Sequence, residues 1–150
     1  MGPESSSPSL PSAVLFTCNF NRVRSPMAEA LLKRALGDRI FVDSCGLKRD
    51  AAEGADPFVL AVMGELSLDL SGHRPKTFDD LEDDSFDLIV SLTPEAQHRA
   101  VELTRGRAAE IEYWPTFDPT LSEGSREARL AAYREVRDGL AAHIARRFRR

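Results

Sequence analysis

The chain has 150 residues, of which 42% are hydrophobic and 29% charged, and its formal net charge is −4 at pH 7. This length and apolar content fit one domain with a substantial core. The acidic balance argues against a bulk nucleic-acid binder, and no apolar run approaches the length needed to cross a bilayer.

Residues 1–12 are rich in Ser and Pro and contain no apolar segment. We therefore expect a disordered tail over 1–12, rather than a secretory signal, and a single domain over 13–150. Two cysteines in a chain with a good core do not indicate a disulfide scaffold. The simplest expectation is a cytoplasmic protein with reduced thiols.

Short apolar runs alternate with helical patterns, beginning with a strand over 13–17. Ser25 as cap and Pro26 as first helical residue predict the start of the first helix, which Gly37 ends. A second strand is predicted over 39–43, and a second helix from Pro57 to about residue 65.

The second half of the chain continues the same alternation. A strand is predicted over 86–92, a helix from Thr93-Pro94, a strand over 110–114 and a last helix from near Ser125. The fold class is therefore α/β: a single-domain, four-stranded parallel sheet with helices on both faces and right-handed crossovers.

The segment from Cys18 to Arg24, here called the Cys18 loop, carries the most chemical information. It leaves the carboxyl end of the first strand, where ligands bind in such sheets. Backbone N–H groups and a helix N-terminus bind phosphate. The planar guanidinium group of Arg24 can donate to two of the phosphate oxygens. The same field favours the thiolate of Cys18, which can attack phosphorus and form a phosphocysteine. The hydroxyl of Ser25 can donate to that thiolate and assist its departure.

The alkoxide that leaves in such a reaction needs a proton, which a carboxylic acid on a loop can supply. Asp118, between Phe117 and Pro119, follows the fourth strand at the same edge of the sheet. We expect Asp118 to act first as general acid and then as general base for water. From its local sequence alone, Asp118 is equally well interpreted as a simple turn residue before proline.

The run of Cys18, Arg24, Ser25 and Pro26, followed by Ala28-Glu29, resembles the signature of low-molecular-weight protein tyrosine phosphatases. The resemblance covers nearly all of the chain after the tail. It implies a flavodoxin-like strand order, with Cys18 as nucleophile, Arg24 as phosphate clamp, Asp118 as acid and base, and no cofactor or metal. Further matches in order and approximate spacing are Asp43-Ser44, Asp56-Pro57, residues 70–73, residues 86–89 and Asp118-Pro119.

The resemblance also assigns the remainder of the site. Asn21 matches an asparagine held in a left-handed conformation, which costs Asn less than most residues. In the family, that asparagine is held by a network of side chains, and Ser25, Ser44 and His73 match the other members of this network. The predicted phosphate-binding loop residues are Asn19, Phe20, Asn21, Arg22, Val23 and Ser25.

Several positions depart from the family pattern. Phe20 replaces a glycine and could close over the site or alter its rim, and Val23 replaces a second loop cysteine. Arg22 replaces an apolar residue. We interpret it either as a group that binds a second anion or as a solvated charge at the rim of the site. Thr120-Leu121 stand in place of an aromatic pair, and the polar segment 48–50 replaces a bulky wall, so stacking surfaces for a phenyl ring are lost.

Three functions remain open. The first is a phosphomonoester hydrolase, with phosphotyrosine as the default substrate and a phosphorylated residue in an acidic context or a small phosphorylated metabolite as further candidates. The second is an arsenate reductase that uses an external thiol, because no cysteine follows Cys45. The third is a catalytically weak phosphate-binding module.

The second cysteine and the acidic run are interpreted as structural features without a chemical role. Cys45 is interpreted as a packing residue. The acidic run of residues 79–84 lacks metal-ligand spacing and is interpreted as a solvated face. The expected partner is a phosphorylated protein or a small phosphomonoester, with no nucleic acid or membrane, and the expected state is a monomer or weak dimer.

Overall fold

The computed structural model describes residues 10–82 and 85–148. Its strands are β1 (Ala13–Cys18), β2 (Phe41–Gly46), β3 (Leu88–Ser91) and β4 (Glu110–Tyr113). Its helices are α1 (Arg24–Leu36), α2 (Pro57–Gly64), α3 (Pro94–Leu103) and α4 (Arg126–Arg147). Within the described ranges, no helix is both long enough and apolar enough to span a membrane.

All four strands pair in parallel in the order β2-β1-β3-β4, which confirms the predicted fold class. Alternate residues of a strand point to opposite faces of the sheet. Val14 and Phe16 of β1 pack with α1, α2 and α4 on one face, whereas Leu15 belongs to a smaller cluster beneath α3. The parallel arrangement brings the carboxyl ends of all strands to one edge.

Three helix starts follow capping chemistry that can be read from the sequence. The side chains of Asp56, Thr93 and Ser125 each accept a backbone N–H in the first turn of α2, α3 and α4. The predicted cap of α1 is wrong, because the helix begins at Arg24 with Val23 before it. Ser25 lies inside the first turn, fully buried, and its hydroxyl serves the Cys18 loop instead.

The second strand lies further along the chain than predicted. Residues 37–39 form a short 3₁₀ turn, and pairing with β1 runs from Phe41 to Gly46. The prediction of 39–43 followed apolar content, but the polar residues Asp43 and Ser44 also occupy the strand. Their side chains bond to Lys76 and to the Cys18 loop, which satisfies polar groups that would otherwise destabilise a buried strand.

Residues 1–9 of the predicted tail lie outside the described residues. Leu10 packs against the core, and the backbone of Ser12 donates to the Asp87 carboxylate at 2.8 Å and accepts from Phe41 at 2.9 Å. Part of the acidic run, residues 83–84, also lies outside the described ranges. Within the described part, Asp80 accepts from Thr77 rather than remaining simply solvated.

Candidate active site

The predicted catalytic residues meet at the carboxyl edge of the sheet. Cys18 is the last residue of β1 and is 3% exposed, and Arg24, the last residue of the Cys18 loop, is the first residue of α1. Asp118 lies in the segment after β4. Because β1 and β4 are parallel members of one sheet, their ends bring these side chains to the same edge.

In the described part of the chain, the backbone of the Cys18 loop has most of its carbonyl acceptors occupied and its N–H donors available. Its carbonyl groups accept hydrogen bonds from three neighbouring segments, whereas the N–H groups of residues 19–23 donate to no other residue in the described part of the chain. Successive free N–H groups beside a helix N-terminus form an anion site. The carbonyl bonds are Leu47 and Lys48 N–H to Asn19 (2.8 and 3.1 Å), Asp56 N–H to Arg22 (3.1 Å), and His73 Nε2 to Asn21 (2.8 Å).

Asn21 holds the loop in shape. Its φ of 58° lies in the left-handed region, as the family resemblance implied. The fully buried side-chain amide donates to Ser25 at 2.8 Å and to Ser44 at 2.9 Å, and its oxygen accepts the Lys76 N–H at 3.0 Å. With every polar group of the amide occupied, the backbone strain at Asn21 is offset by its own side chain.

Ser25 connects this network to the thiol. Its Oγ lies 2.9 Å from Cys18 Sγ. Because that oxygen already accepts the Asn21 amide, its own proton is available to the sulfur or to the Cys45 carbonyl, which lies 3.4 Å away. On the far side of the network, the Ser44 hydroxyl donates to Glu29 at 2.5 Å, and Glu29 pairs with Lys33.

Arg24 and Asp118 face each other across the site. The Arg24 guanidinium donates to the Thr116 carbonyl at 2.9 Å, and its second nitrogen lies 3.8 Å from Asp118 Oδ2. The other carboxylate oxygen of Asp118 accepts both the N–H (3.0 Å) and the hydroxyl (2.7 Å) of Thr120. One carboxylate oxygen of Asp118 is thus held by Thr120, while the other faces the Arg24 guanidinium.

The structure contradicts the interpretation of Arg22 as a solvated rim charge, whereas binding of a second anion by Arg22 stays a prediction. Its Nε donates to the Gly54 carbonyl at 2.9 Å, its Nη1 lies 3.2 Å from the Asp50 carboxylate, and its side chain is only 15% exposed. A second anion would have to compete with the Asp50 carboxylate for this guanidinium. Asp50, distant in sequence, neutralises it, and Arg22 ties the Cys18 loop to the segment after β2.

Phe20 lies on the outer rim. Its side chain is 39% exposed, and the ammonium of Lys48 stands 5.6 Å from the centre of its ring. This is within the range of a cation–π contact. Phe20 therefore borders the loop on the side of the 48–54 segment.

Sequence reasoning missed two residues that support the loop. Gly46 ends β2 directly beneath it, and a Cβ there would lie 2.8 Å from Asn21 N and 2.8 Å from Phe20 C. The Thr93 hydroxyl, at the carboxyl end of β3, donates to Asn19 Oδ1 at 2.8 Å. Position at the carboxyl edge was the available signal for Thr93, whereas the need for Gly46 depends on the distance between two separate segments.

The second cysteine has a packing role, as predicted. Cys45 is fully buried, its Sγ contacts the Thr17 hydroxyl at 3.8 Å, and burial raises the pKa of its thiol far above the usual range. It belongs to the cluster on the α3 face. A neutral buried thiol of this kind is a poor nucleophile.

A buried tyrosine links α4 to the site. Tyr133 donates to the Asp56 carboxylate at 3.2 Å, while the Asp56 N–H donates to the Arg22 carbonyl. Burial, reinforced by the negative charge of Asp56, raises the pKa of Tyr133 well above its usual range. The phenol therefore remains a donor at all physiological pH values.

Comparison with known proteins agrees with this geometry. The family model for low molecular weight phosphotyrosine protein phosphatases matches residues 13–145. The chain belongs to this family. The matched range begins with β1, includes all four strands and the first three helices, and ends two residues before the end of α4.

The similar proteins carry several names. An arsenate reductase from Halalkalibacterium halodurans is 32% identical over 131 residues, covering 87% of this chain and 91% of that protein. A tyrosine phosphatase structure from Erwinia amylovora has a TM-score of 0.74 and 25% identity, covering 95% of this chain and 96% of that one. An arginine phosphatase structure from Geobacillus stearothermophilus has a TM-score of 0.73 and 25% identity, covering 91% and 90%. The family is enzymatic, and its members differ in what they act on.

Proposed function

We propose that this protein hydrolyses phosphomonoesters through a phosphocysteine on Cys18, with phosphotyrosine in proteins as the default substrate. One observation carries the proposal: the Cys18 thiol lies 2.9 Å from the Ser25 hydroxyl, in a loop whose N–H groups are available to a phosphate. A module that only binds phosphate needs neither a nucleophile nor a carboxylic acid. This chain has a candidate for each of these groups, Cys18 as the nucleophile and Asp118 as the carboxylic acid.

The first step transfers the phosphoryl group to sulfur. The Cys18 thiolate attacks phosphorus, the bond from phosphorus to the ester oxygen breaks, and protonated Asp118 gives its proton to that oxygen. Arg24 holds two of the phosphoryl oxygens as charge develops on them. An entering phosphate would compete with the Asp118 carboxylate for Arg24, which separates the acid from the cation.

The second step releases inorganic phosphate. Asp118, now ionised, takes a proton from water as the water oxygen attacks phosphorus. The phosphorus–sulfur bond breaks, and the departing thiolate accepts the Ser25 hydrogen bond. Asp118 has then given one proton to the ester oxygen and taken one from water, so the site returns to its starting state without a cofactor.

Arsenate reduction is the second candidate, because similar curated proteins bear that name. Cys18 would attack arsenic with loss of water, and an external low-molecular-weight thiol would attack the sulfur, releasing arsenite and leaving a mixed disulfide. A second such thiol would free Cys18, so two thiols are oxidised as arsenic is reduced. The chain holds only one other cysteine, and buried Cys45 offers no internal route.

The deciding experiment is the hydrolysis of para-nitrophenyl phosphate at mildly acidic pH, with orthovanadate inhibition and Cys18→Ser as controls. We expect vanadate-sensitive turnover that Cys18→Ser abolishes while the protein stays folded. Arsenite formation from arsenate with glutathione is measured in parallel, and phosphotyrosine, phosphoserine and phosphoarginine are compared as substrates. Thiol-dependent arsenite formation without ester hydrolysis would support the reductase instead. A folded protein that binds vanadate without turnover would be a binding module.

The role of Asp118 is tested by its leaving-group dependence. Asp118→Asn keeps the size of the side chain but cannot donate the proton. We expect its kcat on phenyl phosphate to fall by about 10²- to 10⁴-fold, and its kcat on activated aryl esters to fall much less. Equal losses on both classes would remove Asp118 from proton donation.

A further inference from the structure

We propose that the cleft beside Phe20 is a subsite for acidic side chains next to the phosphorylated residue of a peptide substrate. This basic cleft is lined by Phe20, by residues of the 48–54 segment and by residues 71–76, and encloses about 440 Å³. The inference rests on the proposed phosphatase function and names the kind of substrate that the site would prefer.

Both walls of the basic cleft are attached to the Cys18 loop itself. On one side the N–H groups of Leu47 and Lys48 donate to Asn19, at the start of the 48–54 segment. On the other side, His73 and the backbone of Lys76 bond to Asn21 at 2.8 and 3.0 Å. A side chain that enters the cleft therefore lies next to the phosphate site, at a spacing fixed by these bonds.

Most charged groups around the cleft are neutralised by a partner. The remaining cations are Lys48 and Arg74, both exposed, for which the described residues provide no carboxylate partner. Among the described residues, the ammonium group of Lys48 contacts the Phe20 ring and no carboxylate, so its positive charge remains available. The paired groups are Arg49 with Asp80 (2.6 Å), Lys76 with Asp43 (2.6 Å) and Arg22 with Asp50 (3.2 Å).

One anionic residue opposes this arrangement. Glu53 lines the cleft, is exposed, and pairs with no cation among the residues described. It should repel an acidic peptide, whereas Lys48 and Arg74 should attract one. Replacing Glu53 must therefore change the preference in the opposite direction from replacing either cation, which a general loss of folding or activity could not imitate.

The test compares matched phosphotyrosyl peptides that carry Glu or Gln at the three positions on each side of the phosphotyrosine. The readout is the ratio of kcat/KM for the Glu peptide to that for the Gln peptide, measured within each variant. We expect Lys48→Gln and Arg74→Gln each to lower this ratio by about twofold to fivefold, and Glu53→Gln to raise it by a similar factor. Raising the ionic strength should lower the ratio of the unmodified protein toward one.

Arg105→Gln is the matched control, because Arg105 is exposed in the segment that enters β4 at the opposite edge of the sheet. It removes the same charge and should leave both rates unchanged. A ratio of one in the unmodified protein, or a ratio unchanged in the Lys48→Gln/Arg74→Gln double variant, would overturn the inference.

Peptide binding to Cys18→Ser, measured by fluorescence anisotropy, separates this inference from the proposed function. Tighter binding of the Glu peptide, weakened by Lys48→Gln and Arg74→Gln, supports the basic cleft even if the protein shows no turnover. Turnover of para-nitrophenyl phosphate without an acidic preference would leave the phosphatase function standing and remove the cleft as a subsite. Failure of both peptides to bind would also overturn the cleft proposal.

Discussion

At the scale of single residues, Thr120 supports the Asp118 carboxylate. Thr120 occupies a position where the family commonly has an aromatic residue, and its hydroxyl donates to Asp118 at 2.7 Å. The backbone N–H of Thr120 donates to the same oxygen. These two bonds hold one carboxylate oxygen, so that the other faces Arg24. In the proposed mechanism, Thr120 is thus a positioning residue that acts through Asp118.

We predict that Thr120→Val lowers kcat on phenyl phosphate by about threefold to tenfold, with a smaller loss on para-nitrophenyl phosphate. Valine keeps the shape of the side chain but cannot donate, so the carboxylate keeps only its backbone bond. Steady-state rates on both esters measure the difference, and Thr120→Ser should restore it. Equal losses on the two esters would assign Thr120 a purely structural role.

At the scale of elements, the Cys18 loop depends on the end of β2. Gly46 packs against the backbone of Phe20 and Asn21 so closely that no side chain fits between them. Ser44, two residues earlier in β2, accepts the Asn21 amide. The strand therefore supports the loop both by close packing and by a hydrogen bond, and the position of β2 sets the shape of the Cys18 loop.

We predict that Gly46→Ala lowers kcat/KM on para-nitrophenyl phosphate by about 100-fold, because the loop must move to admit the methyl group. The free energy of unfolding should fall by about 1–3 kcal/mol. Urea denaturation and steady-state kinetics measure the two effects. Gly139→Ala in α4 is the control: a Cβ there meets nothing within 4 Å, so turnover should be unchanged. Normal turnover by Gly46→Ala would contradict the proposed support.

At the scale of the whole molecule, charge pairs join α2 to α4 on the helical face. Glu65, at the end of α2, lies 2.8 Å from Arg134 and 2.8 Å from Arg137 of α4. The hydrogen bonds from Arg134 and Arg137 lower the pKa of Glu65 from 4.5 to about 2. Since the carboxylate is favoured in the folded state, its contribution to stability is complete above pH 4.5 and is lost as pH falls toward 2.

We predict that Glu65→Gln lowers the urea midpoint at pH 7, and that its difference from the unmodified protein shrinks as pH falls from 4.5 toward 2. Urea denaturation of both proteins across this range measures the change. Glu123→Gln is the control, because Glu123 is exposed and forms no ion pair with the described residues. A Glu65→Gln difference that stays constant with pH would contradict the assigned role.

Sequence patterns predicted the fold class and the helix starts at Asp56-Pro57, Thr93-Pro94 and Ser125 well, because capping and apolar periodicity are local properties. They misplaced β2, since a strand containing Asp43 and Ser44 is stable only with distant partners. They also gave no indication of what the Arg22 side chain contacts. Its partners Gly54 and Asp50 lie about 30 residues away, and pairing over such a separation cannot be read from spacing.

Local sequence patterns were sufficient to suggest the reaction chemistry that we propose for this protein. A thiol after a buried strand, an arginine before a Ser-Pro helix start and an Asp-Pro segment after the last strand are local features with local physical causes. Only the tertiary structure decided which cations remain available, why residue 46 is glycine, and which oxygen of Asp118 faces Arg24. These depend on distances between separate segments, which packing of the whole chain sets.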